Sequence, residues 1–375
     1  MCRRGGSGGW QRGDDRMQGG SAVFAFVAAC LFQHQLFAAA FAMHHDALLR
    51  PSSATPVSRG VSAELLKRYD AFLIDQWGVL HDGKKPYPGA LALLEAMRSA
   101  GKHNVMISNS SKRDVRDGMC KVGIDSSRYF DDRIITSGQL AFELLSNRAR
   151  LQSTFPSCAA TTSKLRVFVF GSGEGDKEFV QGSGHEWAAS PEDADLLLAR
   201  GTFAIGDRRF EKAEETMEHV DAVLVKCAAR RLPLIVSNPD FHRPGSGSPM
   251  PGQIARRYNL LLPDGVDLIH QLGKPYRDVF EAGVTMLPPG IKRERICMVG
   301  DSIDHDVLGA KLFGIDSIWI TNGVHASTLG VSEGSPIPPS ADKLGAFLQD
   351  HSTYLPTWQV AAFQLDESGS GSGSG

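Results

Sequence analysis

The thirteen-residue stretch AFLIDQWGVLHDG, residues 71–83, limits what this chain can fold into more than any other. Its first five residues, Ala71 to Asp75, are almost wholly apolar and end in one carboxylate. A run that short and that apolar suits a strand buried on both faces of a parallel sheet. Trp77-Gly78-Val79 then turns the chain, Pro86, Pro88 and Gly89 punctuate a loop, and a helical pattern occupies 90–100. Open α/β sheets place ligands at the carboxyl ends of their strands, so Asp75 is a candidate site residue. A strand that merely happens to end in Asp is the simpler account, unless later strand ends supply partners for it.

The pattern after Asp75 is repetitive. Gly101 closes the helix, and Gly is a good left-handed terminator. Residues 104–107 read as a second apolar strand ending at Ser108-Asn109, and 112–122 as a helix. This β-α-β-α alternation argues for an α/β fold with a doubly wound parallel sheet. From about residue 137 a second α/β unit begins: a helix at 139–148, strands at 166–170, 195–199 and 233–237, and a long helix at 210–230. The Gly-rich loop at 171–175 lacks the Lys-Ser/Thr of a P-loop and the spacing of a dinucleotide fingerprint, so it reads as a plain turn. Residues 245–251, rich in Gly, Pro and Ser, read as a connector. The first unit is then expected to resume with a helix at 253–259, a strand at 267–272, helices at 277–286 and 307–313, and strands at 295–299 and 317–320. The expected organisation is a core in two parts, 61–136 and 250–350, around an insertion at 137–249.

Four strand ends now carry, in order, Asp75, Ser108, Lys274, and Asp301 with Asp306. Their chemistry fits one task. Asp75 could attack phosphorus and form an acyl phosphate, dividing one hard step into two. A divalent cation held by Asp75 and Asp301 would remove the repulsion between carboxylates and a phosphate ester, and Mg²⁺ needs few protein oxygens because it keeps several waters. Asp306, from the next helical turn, could hold a water of that cation. Lys274 offers a fixed positive charge, and Ser108 a hydroxyl with the Asn109 amide beside it, for the transferring oxygens. Taken singly, Lys274 reads as a surface lysine, Ser108 as a helix cap and Gly300-Asp301-Ser302 as a turn. Four such strand ends in this order are hard to assign to chance.

The order and residues resemble the haloacid dehalogenase superfamily of phosphotransferases over roughly residues 65–330. An insertion between the Ser108 and Lys274 segments, with Asn238-Pro239-Asp240, Gly273-Lys274-Pro275 and Gly300-Asp301-Ser302, is similar to its class IIA branch. The resemblance implies a Rossmann-like core with an inserted α/β cap. It also implies a Mg²⁺-dependent phosphatase of small phosphorylated metabolites with an aspartyl-phosphate intermediate on Asp75. Asp75, the Trp77 backbone carbonyl, Asp301 and Asp306 would be the metal ligands, and Asp75, Ser108 and Lys274 the catalytic groups. Asn109 would bind phosphate, Asp240 would touch substrate or core, and homodimers through cap surfaces are a family habit. One departure stands out. Where the family's first motif has a second Asp, the acid and base of the reaction, this chain has Trp77. General acid–base help is worth roughly 10²–10⁴-fold. Its absence predicts slow turnover, a good leaving group, or a substitute such as His81. Two alternatives stay open: a catalytically silent binding or regulatory module that keeps the fold, and a dehalogenase-like carbon-centred hydrolase, against which the Asp301–Asp306 pair argues.

Composition narrows the rest. The formal charge is −2, with no basic stripe or aromatic-basic interleaving, so nucleic acid is not an expected partner. The six cysteines are scattered without metal or redox spacing and read as ordinary thiols. Residues 1–60 are unlike the α/β body of the chain. Apolar runs at 22–32 and 36–43 are each shorter than the roughly 20 residues that span a bilayer. Ala40-Phe41-Ala42 offers a cleavage site of the small-x-small kind. A Ser-, Thr- and Arg-bearing stretch comes next, and the whole resembles the bipartite presequences of secondary plastids; a disordered extension with a later start, and a cytoplasmic protein, is the alternative. No membrane partner is expected for the mature protein. Residues 351–375 read as a tail whose Ser-Gly end is flexible.

Overall fold

The computed structural model describes residues 57–160, 164–243, 245–351 and 354–366. The expected presequence up to residue 56 and the Ser-Gly end of the tail lie outside the described residues. In chain order the strands are β1 (Ala71–Ile74), β2 (His103–Ser108), β3 (Ile134–Thr136), β4 (Arg166–Gly171), β5 (Glu186–Trp187), β6 (Leu196–Ala199), β7 (Ala204–Ile205), β8 (Arg208–Arg209), β9 (Leu234–Val236), β10 (Ile269–Gln271), β11 (Ile296–Gly300), β12 (Asp316–Ile320) and β13 (Trp358–Val360).

They form two sheets. The first, all parallel, has the order β13-β12-β11-β1-β2-β3. β1 is buried along its whole length, and its alternation divides cleanly. Ala71 and Leu73 enter one apolar cluster, Phe72 and Ile74 the cluster on the opposite face. That is what an uninterrupted apolar strand requires when helices cover both faces. From β1 the chain winds outward through β2 and β3 on one side, and from β11 through β12 and β13 on the other. The winding therefore reverses between β1 and β11, and the crevice at that switch point opens at their carboxyl ends. Asp75 follows β1 and Asp301 follows β11.

The second sheet has the order β10-β9-β6-β4-β7-β8, with β5 paired to β4. It corrects the expected domain boundary. The strand expected at 267–272 in the resumed core is β10, yet its Ile269 and Gln271 register with Leu234 and Val236 of β9. Helix Pro251–Asn259 likewise packs its Ile254, Ala255 and Tyr258 with the strands of this sheet. The insertion therefore runs through Gln271 rather than ending at 249. A three-residue edge strand has too little pattern to declare its sheet, and the Gly-Pro connector before it misleads. The other end is corrected too: β13 pairs with β12, and Val360 to Phe363 are buried, so the core extends well past residue 350. Among the described residues no helix is long and apolar enough to cross a membrane.

Candidate active site

Asp75, Lys274, Asp301 and Asp306 meet at the switch point. Carboxylate oxygens of Asp75, Asp301 and Asp306 lie within 4.8 Å of one another. Lys274 Nζ sits 2.7 Å from Asp75 Oδ1 and 2.7 Å from Asp306 Oδ1. All four residues are at most 9 % exposed, so solvent does little to screen them. Three carboxylates therefore face one ammonium in a buried site.

Each is fixed by its local backbone. Asp301 Oδ2 accepts the Val324 N–H at 2.7 Å. The same carboxylate is pressed by two glycines: a Cβ on Gly78, which has φ +78°, would fall 1.8 Å from Oδ2, and one on Gly323 would fall 2.4 Å from it. Gly78 thus lies directly against Asp301. Asp306 Oδ2 accepts the Ser302 N–H at 2.9 Å, which closes the turn between the two acids. Burial pushes the Asp75 carboxyl up to about 7, against the pull of Lys274 and with a further push from Asp306. Burial, and after it the charges of Asp75 and Asp306, push Asp301 well above the carboxylate range. For Lys274 burial works against the charge, but Asp306 and Asp75 outweigh it, and the ammonium is held more firmly than usual.

Lys274 arrives by an unexpected route. The strand before it, β10, belongs to the second sheet, so the lysine reaches the core crevice where the chain passes back out of the insertion. Asn109 holds that crossing in place. Its Oδ1 accepts the Lys274 N–H at 2.6 Å, and its Nδ2 donates to the Lys274 carbonyl at 3.1 Å. Nδ2 also donates to Asp240 Oδ1 at 2.7 Å. The amide expected to face phosphate is therefore engaged in clamping the lysine peptide. Gly273 has φ +118°, and a Cβ there would meet Ser137 Oγ at 2.3 Å and Asn109 Oδ1 at 2.6 Å. Only glycine fits, on both counts.

Ser108 ends β2 with its Oγ accepting Gln76 Nε2 at 2.8 Å and the Ser110 N–H at 3.2 Å. With both lone pairs engaged, the hydroxyl proton is what it has left to donate. Sequence reasoning misses Gln76; its place next to Asp75 is the available signal. It misses His305 as well. The His305 Nδ1 is 3.0 Å from Ser302 Oγ and its Nε2 3.6 Å from Asp240 Oδ1, so Asp240 touches the core on two residues.

Trp77 and His81 form a unit of their own. The Trp77 ring packs edge-on to His81 at 5.5 Å and lies over Gly83, where a Cβ would fall 2.1 Å from it. His81 Nδ1 accepts the Gly83 N–H at 2.9 Å, and burial holds its imidazole below the usual range. His81 Nδ1 is thus engaged within its own loop. The Gly-rich loop after β4 is filled from within. Asp176 accepts the N–H of Ser172 at 3.3 Å and of Gly173 at 2.7 Å, and pairs with the buried Arg200. The plain-turn reading describes it.

Comparison with known proteins gives this geometry its family. Residues 72–186 match the model of haloacid dehalogenase-like hydrolases, and residues 271–344 match a second model, described as HAD-hydrolase-like. The chain belongs to the haloacid dehalogenase-like hydrolases. The cap inserted between the Ser108 and Lys274 segments places it in the class IIA branch. A 4-nitrophenylphosphatase of Schizosaccharomyces pombe is 24% identical over 295 residues, covering 74% of this chain and 91% of that protein. Human chronophin is 27% identical over 269 residues, covering 70% and 84%. A solved haloacid dehalogenase-like hydrolase from Brucella suis is 25% identical, covers 82% of this chain and 100% of its own, and superposes with a TM-score of 0.61.

Proposed function

We propose that this hydrolase is a Mg²⁺-dependent phosphatase of a small phosphorylated metabolite, working through an aspartyl phosphate on Asp75. The observation that carries the reading is Lys274 Nζ bridging Asp75 and Asp306, with Asp301 alongside. The donor set suits the metal: three carboxylates, all oxygen and all hard, carry more negative charge than one lysine balances. Asp75, Asp301, Asp306 and the Trp77 carbonyl, next to the Gly78 that packs on Asp301, would hold it. Bound there, Mg²⁺ would let the clustered acids ionise together and would neutralise charge on the phosphoryl oxygens.

The protein's own groups account for the rest. An Asp75 oxygen forms a bond to phosphorus while the ester oxygen leaves, and water later releases phosphate and restores the carboxylate. Lys274 stabilises the transferring oxygens as a fixed cation, and the Ser108 hydroxyl donates to one of them. Asn109 and Asp240 keep the lysine peptide in register, and burial of Asp75, Lys274, Asp301 and Asp306 keeps bulk water from the reaction. Trp77 offers no proton to the leaving group, so substrates that leave readily are favoured. The relatives named for aryl-phosphate and sugar-phosphate hydrolysis are consistent with this class of reaction.

The test uses an aryl phosphate, whose leaving group needs little protonation. Wild type should hydrolyse it with Mg²⁺, EDTA should stop it, and Asp75→Asn should reduce it to background. Trp77 keeps a second reading in play, a silent binding module; equal rates for wild type and Asp75→Asn would establish that reading instead. Activity insensitive to EDTA would point to the carbon-centred alternative. As part of the same proposal, residues 1–60 direct the protein to a plastid. A fusion of those residues to a fluorescent protein should reach the plastid of an alga with a secondary plastid, and cytosolic fluorescence would end that claim.

A further inference from the structure

The turn that carries both Asp301 and Asp306 is braced by the carboxy-terminal part of the chain, including a segment expected to be a tail. Residues Ile303–Val307 form a π turn, whose hydrogen-bond ladder is wider than an α-helix's. Such a turn depends on contacts from outside to keep its shape. Three reach it. Trp319, fully buried, donates its Nε1–H to the Asp301 carbonyl at 2.9 Å. His325 Nε2 accepts the Ile303 N–H at 3.2 Å. On the far side, Tyr354 Oη donates to Asp304 Oδ1 at 2.9 Å, with His351 Nδ1 3.1 Å from the same hydroxyl.

Rings connect these contacts. Phe347, in the helix Ala341–Gln349, stacks on Trp319 at 5.6 Å with the planes 16° apart. It also lies 4.8 Å from His325 and 4.8 Å from His351, which is 5.5 Å from Tyr354. One aromatic stack thus runs from beneath Asp301 to the hydroxyl that holds Asp304. The match to the second family model ends at residue 344, so Phe347, His351 and Tyr354 lie beyond it.

We infer that Phe347, His351 and Tyr354 form a positioning element for the metal-holding turn, setting its affinity for a divalent cation through the Asp304 tether and the Trp319 stack. The inference rests on the Mg²⁺ reading of the site. Held at both ends, the turn keeps Asp301 and Asp306 converging. Released at Asp304, it spreads over more conformations, of which fewer can bind, and the apparent affinity falls by the fraction lost.

The experiment tracks the melting temperature of the full chain against Mg²⁺ concentration, so that binding is read without turnover. Tyr354→Phe, which keeps the ring and loses the bond, should raise the half-saturating Mg²⁺ by about three- to tenfold, the worth of one hydrogen bond. Asp304→Ala should do the same. Asp304→Asn retains an acceptor for Tyr354 and should stay near wild type. Turnover at saturating Mg²⁺ should be unchanged in Tyr354→Phe. An unchanged Mg²⁺ midpoint in Tyr354→Phe, even with a lower melting temperature, would overturn the inference by leaving Tyr354 a merely structural role. An Asp304→Asn midpoint shifted as far as that of Asp304→Ala would overturn it in favour of simple charge. Should wild type itself show no Mg²⁺-dependent shift, the metal reading and this inference would fall together.

Discussion

The two sheets of this protein each place an acid and a base in buried contact at the carboxyl end of a strand, and they do so to opposite effect. In the cap, Asp176 and Arg200 are one acid and one base, each less than a tenth exposed. Backbone N–H groups of Ser172 and Gly173 satisfy the rest of the carboxylate. There one cation balances one anion. In the core, Asp75, Asp301 and Asp306 share a single lysine. Burying unbalanced charge is costly, and folds retain it where something else is to be bound. The motif that looks like a phosphate loop is thus internal structure, while the plain-looking turn after β11 carries the site.

Breaking each pair should separate the two roles. The largest effect is expected from Lys274→Met, which leaves three buried carboxylates facing one another and removes the cation proposed to face the transferring oxygens. Aryl-phosphate turnover should fall by about 10²–10³-fold, the scale seen when one preorganised electrostatic group is removed. Arg200→Met should behave differently. It strands the Asp176 charge and should cost about 3 kcal/mol of stability by denaturant titration, with kcat of the folded protein near wild type. A large kcat loss there, at full folding, would show that the cap loop takes part in chemistry after all. The smallest effect is expected from Trp77→Asp, which restores a carboxylate to the acid/base position. It should raise turnover of an alkyl phosphate about tenfold, short of the full general-acid factor because the loop must repack around Gly83. An aryl phosphate should gain far less. Equal gains on both would mean that proton transfer is not what Trp77 removed.

Much of the core is legible in the sequence. Asp75 and Asp301 come after strands whose apolar runs can only be buried, so their place at a sheet's carboxyl edge is readable from local pattern. Ser108 and Asp306 yield to the same argument. Lys274 reads correctly as a converging cation but for the wrong reason, since its strand pairs with β9 and not with the core. Asn109 reads as a phosphate donor, yet its amide holds the lysine peptide. Gln76 and His305 escape notice, because a polar side chain beside a motif residue carries no periodic signal of its own.

Local sequence, then, determined which chemical groups stand at strand ends and in what order, because burial on both faces of a short strand leaves a one-dimensional signature. Tertiary structure alone decided which sheet each strand joins, that the lysine enters from the cap, and that residues past 350 return to contact the turn between Asp301 and Asp306. Those choices depend on pairings and ring contacts between residues hundreds of positions apart, such as Tyr69 with Asp316 and Trp358, and no window of sequence contains both partners.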